Sequence, residues 1–501
     1  MKALHSNHKK YLELMMNLLK QTMFQKILAL GMGIFLLSSC ARNPVTGKQD
    51  FMLLTESDEI KMGQQADKEI VQMYGVYEDA KLSAYLDNMG QKMALISHRP
   101  HLKYEFKVMD SPVINAFAVP GGYVYITRGI LAYLNNEAEL AGVVGHEIGH
   151  ITARHSAKKY SEAQIAQLGL GVGSMISDDF ASIVGLAAQG LGLLFLKFSR
   201  DDERQSDVLG VDYATKVEYD AREMANFFTT LDKMQKNGKQ GGIPDWFSTH
   251  PNPASRVGDV RNEAISAQKK AGKNQFIINR DEYLAMVDGL IFGENPRQGF
   301  VDKENFYHPD LQFYFPVPAG WQLTNLPSQV QMVSADKKGL MLFTLATENS
   351  PAAASKSFIE KSKVQVAAEK RMVVNNLDAY QVYSEVKDGA TSTRIQSLFI
   401  EKNGKVYVFH GFADRSNFDS LQPAFSATMN GFQTLKDKSI LNVKPDHMVI
   451  KKAGRNGTMR QVLSALGVAE KDIEETALIN GRGLEEKIDS QSRIKIISRG
   501  R

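Results

Sequence analysis

His146-Glu147-Ile148-Gly149-His150 is the stretch of this 501-residue chain best suited to chemistry. Two imidazoles four residues apart fall on one helical face, one turn above the other. Their neutral nitrogens can then reach a single Zn²⁺ at about 2.0–2.1 Å. Glu147 points aside from that face, where its carboxylate can handle the proton of a water without binding the ion. The spacing therefore predicts an H-E-x-x-H zinc site on a helix. The bland alternative is a hydrogen-bonded polar pair on a core helix. Gly142, Gly145 and Gly149 argue against it, because each costs about 0.8–1 kcal/mol relative to Ala inside a helix. Local conflict of this kind marks a functional or tightly packed site.

A catalytic zinc needs three protein ligands and one open position. The metzincin pattern would put Gly at 153 and His at 156, but the chain has Ala153 and Ser156. His155 lies five residues past His150, which on a continuous helix is a different face, so it reads as a surface group or one standing behind a ligand. A better source is "SRDDERQSDVLGVDYA", where Glu203 and Asp207 are i and i+4. Glu203 can ligate while Asp207 accepts a hydrogen bond from the other nitrogen of a ligating imidazole. Spacing alone leaves Asp201, Asp202 and Glu218 open as the ligand. "THPNPASR", Thr249 to Arg256, is a loop marked by two prolines, and a His-Pro such as His250-Pro251 is often only a turn.

Local signals place these residues on elements. A helix is expected from Asn136, with Glu139 three residues on as a variant capping box, and with Leu140, Val143, Val144, Ile148 and Ile151 at helical spacing. An earlier helix is expected with its cap at Ser57. "YEFKV" (Tyr104 to Val108) alternates like a strand, and "VINAFAVPGGYVYIT" (Val113 to Thr127) reads as strand, Pro-Gly-Gly turn, strand. The second ligand-bearing helix begins near Asp201. Ala163 to Leu196 is rich in Gly, Ala and Leu and reads as a helical hairpin or lid in preference to a membrane insertion. A connector is expected over 271–300. Alternating segments such as "KVYVFHGFA" (Lys405 to Ala413) predict an antiparallel sheet region over 301–436. After a linker, 446–501 form a small unit with a helix at Thr458 to Gly467 and a strand at Arg493 to Ile497. The expected class is α+β: a mainly helical zincin domain over 41–270 with a small sheet, then an α+β sheet domain, then the small unit.

"NAFAVPGGYVYITRGIL", "GHEIGHITARHS", "SRDDERQSD" and "STHPNPASR" together resemble the HtpX-like and CAAX-endopeptidase-like zinc metallopeptidases, gluzincins of the minigluzincin type. Within that family the chain is similar to the secreted lipoprotein branch. The match runs over roughly Asp50 to Lys270. The resemblance implies one zinc per chain held by His146, His150 and Glu203, with Glu147 as general base. It implies that Asn115, Ala116, Phe117 and Ala118 form a strand edge beside the cleft, where peptide substrate adds as an extra strand. It also implies that the His250 loop reaches the active site, where His250 either donates to the developing oxyanion or occupies the fourth position on zinc. The sheet region resembles the PsbP/MOG-like type, and the terminal unit a LysM-like peptidoglycan-binding module.

The chain ends and composition set the compartment. "ILALGMGIFLL", Ile27 to Leu37, is an eleven-residue apolar run. As a helix it spans about 16 Å, too short to cross a bilayer and right for a signal-peptide core. "LSSC", Leu37 to Cys40, follows and resembles a bacterial lipobox; Cys40 is the chain's single cysteine. Residues 1–40 are thus expected to be a leader starting at Met1 or Met23, with Cys40 lipidated and anchoring the protein without spanning. By resemblance to lipoprotein sorting, Ala41 in place of an Asp after the cysteine leans toward the outer membrane, facing the periplasm. A net charge of +4 gives no support to nucleic-acid binding. Polypeptide substrates are expected, with peptidoglycan or outer-membrane assembly machinery as further partners. The expected function is zinc-dependent endopeptidase action on misfolded or envelope proteins; the rival is a zinc-containing periplasmic chaperone or assembly factor with latent peptidase activity.

Overall fold

The computed structural model describes residues 40–167, 197–237, 246, 250, 253–388 and 391–500. The apolar leader, and the Gly/Ala/Leu-rich stretch from residue 168 to 196, lie outside the described residues.

Two short strands, β1 (Cys40–Arg42) and β2 (Gln49–Phe51), pair at the start. Helices α1 (Glu56–Tyr74) and α2 (Ala80–Leu95) follow. The cap of α1 is Thr55 and not Ser57: the Thr55 hydroxyl accepts from the Asp58 amide while the Asp58 carboxylate accepts from the Thr55 amide. Asp58 is three residues past Thr55, so only Thr55 can close the reciprocal box.

A three-stranded sheet, order β3-β5-β4, contains β3 (Glu105–Met109), β4 (Ala116–Val119) and β5 (Tyr123–Thr127). β3 runs parallel to β5 and β4 antiparallel to it. The β4–β5 turn needs two residues in the left-handed region, and Gly121 and Gly122 supply φ of 88° and 109°. After α3 (Arg128–Tyr133) comes α4 (Glu137–Thr152), in which every residue is buried. The Asn136 carboxamide accepts from the Glu139 amide at 2.8 Å. Glu139 reaches back one residue further than the box expected, to the Asn135 amide at 2.6 Å. α4 ends where Arg154 takes φ of 59°, and α5 (His155–Gln167) starts a new axis.

α6 (Arg200–Lys216), α7 (Glu223–Asn237) and α8 (Pro253–Ala271) pack with α4 around one core. The three α4 glycines are explained by this packing. A Cβ on Gly145 would stand 3.0 Å from the Gly210 carbonyl oxygen, one on Gly149 3.1 Å from the Ser206 Cα, and one on Gly142 2.7 Å from Met224 Cβ. The glycines let α4 and α6 touch backbone to backbone, which brings the α6 carboxylates within reach of the α4 imidazoles.

Residues 271–300, read as a connector, contain α9 (Arg280–Val287), whose Tyr283, Leu284 and Val287 are buried in that same core, and β6 (Ile291–Phe292). A sheet-rich region follows. β7 (Phe300–Asp302), β8 (Asn305–His308) and β9 (Phe313–Pro316) join β17 (Gln433–Thr434) in a four-stranded sheet. The larger sheet is formed by β10 (Gln322–Leu326), β11 (Gln329–Val333), β12 (Gly339–Leu345), β13 (Gln365–Val374), β14 (Leu377–Asp388), β15 (Thr391–Lys402) and β16 (Lys405–Asp414). Its seven antiparallel strands run in the order β10-β11-β12-β16-β15-β14-β13. Helices α10 (Pro351–Ser362) and α11 (Arg415–Asn430) pack on it. The last unit has the order β18 (Asp446–Lys452), α12 (Met459–Ala465), α13 (Ile473–Ile479), β21 (Arg493–Ser498). A short pair, β19 (Gly457–Thr458) with β20 (Lys487–Ile488), lies within it. β18 pairs antiparallel with β21 on one side and with β6 on the other. No described helix is long and apolar enough to cross a membrane.

Candidate metal centre

His146 and His150 project from one face of α4, as their spacing predicts. Their Nε2 atoms meet at 3.0 Å. Glu203, near the start of α6, places Oε2 3.6 Å from His146 Nε2 and Oε1 3.5 Å from His150 Nε2. His250 completes the group: its Nδ1 lies 3.3 Å from His146 Nε2 and 3.0 Å from Glu203 Oε1. One ligand atom from each of these four buried side chains lies within 4.8 Å of every other. Four donors arranged tetrahedrally at about 2.0–2.1 Å from zinc stand roughly 3.3–3.4 Å apart. The observed separations bracket that value, so the residues fit zinc. Asp201, Asp202 and Glu218 are not in the group.

The surroundings favour the metal-binding form of two donors, His150 and Glu203; at His250 burial alone would lower the pKa, but Glu203 and Glu147 outweigh it and raise it. Burial favours neutral His150 and takes its pKa well below the ordinary histidine value, against the opposing pull of Glu203. Burial alone would raise Glu203, but His250, His150 and Arg256 outweigh it and keep the carboxyl well below its usual range. Asp207 Oδ1 is 3.0 Å from His146 Nδ1, where it fixes the tautomer that turns Nε2 toward the donor group. Arg256, from the start of α8, grips Asp207 through Nε at 2.7 Å and also reaches Glu203 Oε2 through Nη1 at 2.7 Å. Its guanidinium stacks over Phe228, 4.4 Å from the ring centroid.

Glu147 stands apart from this network. It is buried, and among the described residues neither carboxylate oxygen has a hydrogen-bond partner. His250 Nε2 is 3.6 Å from its Oε1. Burial raises the Glu147 pKa above the ordinary carboxylate value, with His250 and His146 pulling the other way. A buried carboxyl left without partners costs stability, and a raised pKa suits a group that must both take and return a proton.

Asn115 immediately precedes β4. Its amide donates to the Thr127 hydroxyl at 3.2 Å, and its carboxamide oxygen is buried without a hydrogen-bond partner among the described residues. Ala116, Phe117 and Ala118 lie on β4, an edge strand that packs against α4. Phe117 is buried between Tyr74 and Tyr125. The Trp246 amide donates to the Ile114 carbonyl at 3.3 Å, which ties the His250 loop to the chain entering β4.

Of the two sequence readings of His155, a surface group or one standing behind His150, the structure excludes the first, and the different face expected on a continuous helix does not apply. The break at Arg154 re-aims it, and it is buried against His150, Nδ1 to Nδ1 at 3.0 Å. Two aromatic neighbours also escaped sequence reading. Phe198 stacks on His150 with centroids 4.0 Å apart, and Trp246 stacks on His250 at 4.2 Å. Neither carries a spacing signal, because each reaches the site from a separate segment.

A buried His₃Glu group beside a carboxylate that lacks a hydrogen-bond partner among the described residues has the make-up of a metallopeptidase centre. Residues 80–264 match the model of Peptidase family M48. The putative beta-barrel assembly-enhancing protease of Vibrio cholerae is 32% identical over 38% of this chain and 40% of its own length. The beta-barrel assembly-enhancing protease of Escherichia coli K12 is 29% identical over 44% and 47%. Mitochondrial metalloendopeptidase OMA1 of Schizosaccharomyces pombe is 28% identical over 50% of this chain and 74% of its own. The chain thus spans less than half the length of the assembly-enhancing proteases it matches. Among solved structures, cyanobacterial PsbP from Synechocystis aligns with 27% of the chain and 96% of its own at 11% identity, with a TM-score of 0.24.

Proposed function

We propose that the protein is a zinc-dependent endopeptidase of the bacterial cell envelope that hydrolyses misfolded or unassembled envelope proteins in the periplasm. The observation that carries this reading is the buried donor group of His146, His150, Glu203 and His250 with the unpartnered Glu147 carboxylate beside it. When bound there, zinc supplies Lewis acidity toward a peptide carbonyl and acidifies water. Glu147 takes the proton of the attacking water as its oxygen bonds to the carbonyl carbon, then passes that proton to the amine as the C–N bond breaks. Asp207 and Arg256 hold His146 and Glu203 in place. Substrate lies in extended form along β4 from Asn115 to Ala118, held by main-chain hydrogen bonds.

His250 has its Nδ1 inside the donor group. That supports a fourth, displaceable ligand in preference to an oxyanion donor in this arrangement. It also favours the second reading, an envelope chaperone or assembly factor whose peptidase is silent until His250 withdraws.

In this reading residues 1–40 are a leader, lipidated Cys40 anchors the chain to the outer membrane, and 41–270 are the peptidase. Residues 301–436 are a PsbP/MOG-like domain, and 446–501 a LysM-like unit directed to peptidoglycan or assembly machinery. The β-α-α-β order of the last unit supports its part of the division. Glu147→Gln should retain one zinc per chain and lose hydrolysis of casein and of unfolded outer-membrane protein. Cleavage by that variant at the wild-type rate would overturn the assignment. Cys40→Ser should release the protein from membranes in soluble form; continued membrane association would remove the anchor.

A further inference from the structure

We infer that His155 is a positioning residue for the ligand His150 and that Gln205 sets its tautomer, so that the two metal-facing imidazoles are backed in chemically different ways. The inference rests on the zinc reading, and its logic is one of proton count. With Nε2 of His150 in the donor group, its Nδ1 must carry the ring proton. The atom facing that Nδ1, at 3.0 Å, is Nδ1 of His155. It must therefore offer a lone pair, which makes His155 neutral with its proton on Nε2.

The partners of His155 enforce that state. Its Nε2 faces the side-chain oxygen of Gln205 at 3.0 Å, with Asp202 Oδ1 further off at 3.7 Å. Both are acceptors, so both require the proton on Nε2. The opposite amide orientation would aim an N–H at Nε2, drive the proton to Nδ1 and set two donors against each other at 3.0 Å. The chain of bonds closes only with the oxygen. The Ser206 hydroxyl, 3.3 Å from His155 Nδ1, can turn its proton toward that atom and is compatible with this tautomer. Burial of His155 also favours its neutral form. Phe198, stacked on His150, closes the ring face that the relay leaves free.

The contrast with the other ligand is direct. His146 donates from Nδ1 to the Asp207 carboxylate, itself gripped by Arg256. His150 donates to a neutral imidazole. Partners of this kind orient metal ligands and change metal affinity when altered.

The test uses the full chain, with zinc affinity measured by chelator competition and stability by thermal unfolding of the zinc-free protein. His155→Ala should weaken zinc binding about 10–100-fold. Gln205→Lys, which puts a donor opposite Nε2, should weaken it comparably. Gln205→Glu keeps an acceptor there and should bind within about threefold of wild type. If His155→Ala does not fold, the Gln205→Lys and Gln205→Glu pair carries the test, since loss of packing alone would not separate them by donor and acceptor character. Equal affinity for that pair, or wild-type affinity in a folded His155→Ala, overturns the relay. A wild-type chain that takes up no zinc would instead overturn the zinc reading itself.

Discussion

The sheet region and the terminal unit follow the peptidase region in sequence but are built on different cores. In the sheet region Phe306, Phe313, Phe315, Phe343, Phe409 and Phe432 pack on one another in a core of their own. The terminal unit has a small core too, but Met448 and Ile479 belong to the same buried cluster as the α4 residues Leu140, Val143, Val144 and Ile148. Its most telling residue is Lys495 on β21, fully buried, whose Nζ donates to the carbonyls of Ala132 and Leu134 at 2.9 and 2.7 Å. Those carbonyls end α3 and would otherwise lack partners. Asn480 holds the Lys495 backbone through bonds of 2.8 and 2.9 Å. Arg280 bridges the Asn135 and Arg493 carbonyls. The Lys495 and Arg280 side chains meet at residues 132–135, the corner from which α4 starts, and Asn480 holds the Lys495 backbone behind them. The last segment of the chain thus completes the packing of the first domain, while the intervening sheet region stands on its own aromatics.

Four measurements can break or sharpen this contrast. The largest effect is expected from deleting residues 446–501: zinc content should fall to background and the peptidase region should become sensitive to added protease. A truncated chain with full zinc content would end the argument for a shared core. Removing zinc with a chelator comes next. It should abolish hydrolysis and lower the unfolding temperature of the transition that includes the peptidase region and the terminal unit. The stabilisation lost is RT ln(1 + [Zn]/Kd), about 4 kcal/mol at a thousandfold excess over Kd. The transition of the sheet region should not move; a matching shift there would mean one cooperative block. Leu398→Ala, in the sheet core, should cost about 2–5 kcal/mol, read in the sheet transition alone with zinc binding retained. The smallest effect is that of Lys495→Met. It strips two helix-end carbonyls of their donor and should cost about 1–3 kcal/mol, with faster amide exchange across 135–140. Unchanged exchange there would mean that Lys495 does not hold the corner.

The face of α4 that carries His146 and His150 was legible because it is local: a fixed spacing on a helix whose cap, Asn136, is also in the sequence. The same holds for Glu203 and Asp207 on α6, and for the strand–turn–strand of β4 and β5 with its two glycines. Misreadings arose where a local rule met a backbone decision. His155 was assigned a face by counting along a helix that in fact breaks at Arg154. Ser57 looks like a cap, but Thr55 has the partner three residues on. Residues 271–300 resemble a connector in composition, yet Tyr283, Leu284 and Val287 fill the main core. No periodicity over eight residues can reveal what a short helix packs against.

By itself, then, the sequence determined the donor types, their placement on two helices, and the position of Glu147 beside them, since each follows from spacing within one element. Tertiary structure decided which carboxylate of several would join them, through the glycine-lined crossing of α4 and α6. It brought His250, Phe198, Trp246 and Arg256 from separate segments into one shell. It also turned Lys495 inward against a helix end more than 360 residues earlier, because an orphaned carbonyl is satisfied by whatever donor the fold brings near, and sequence distance sets no limit on that.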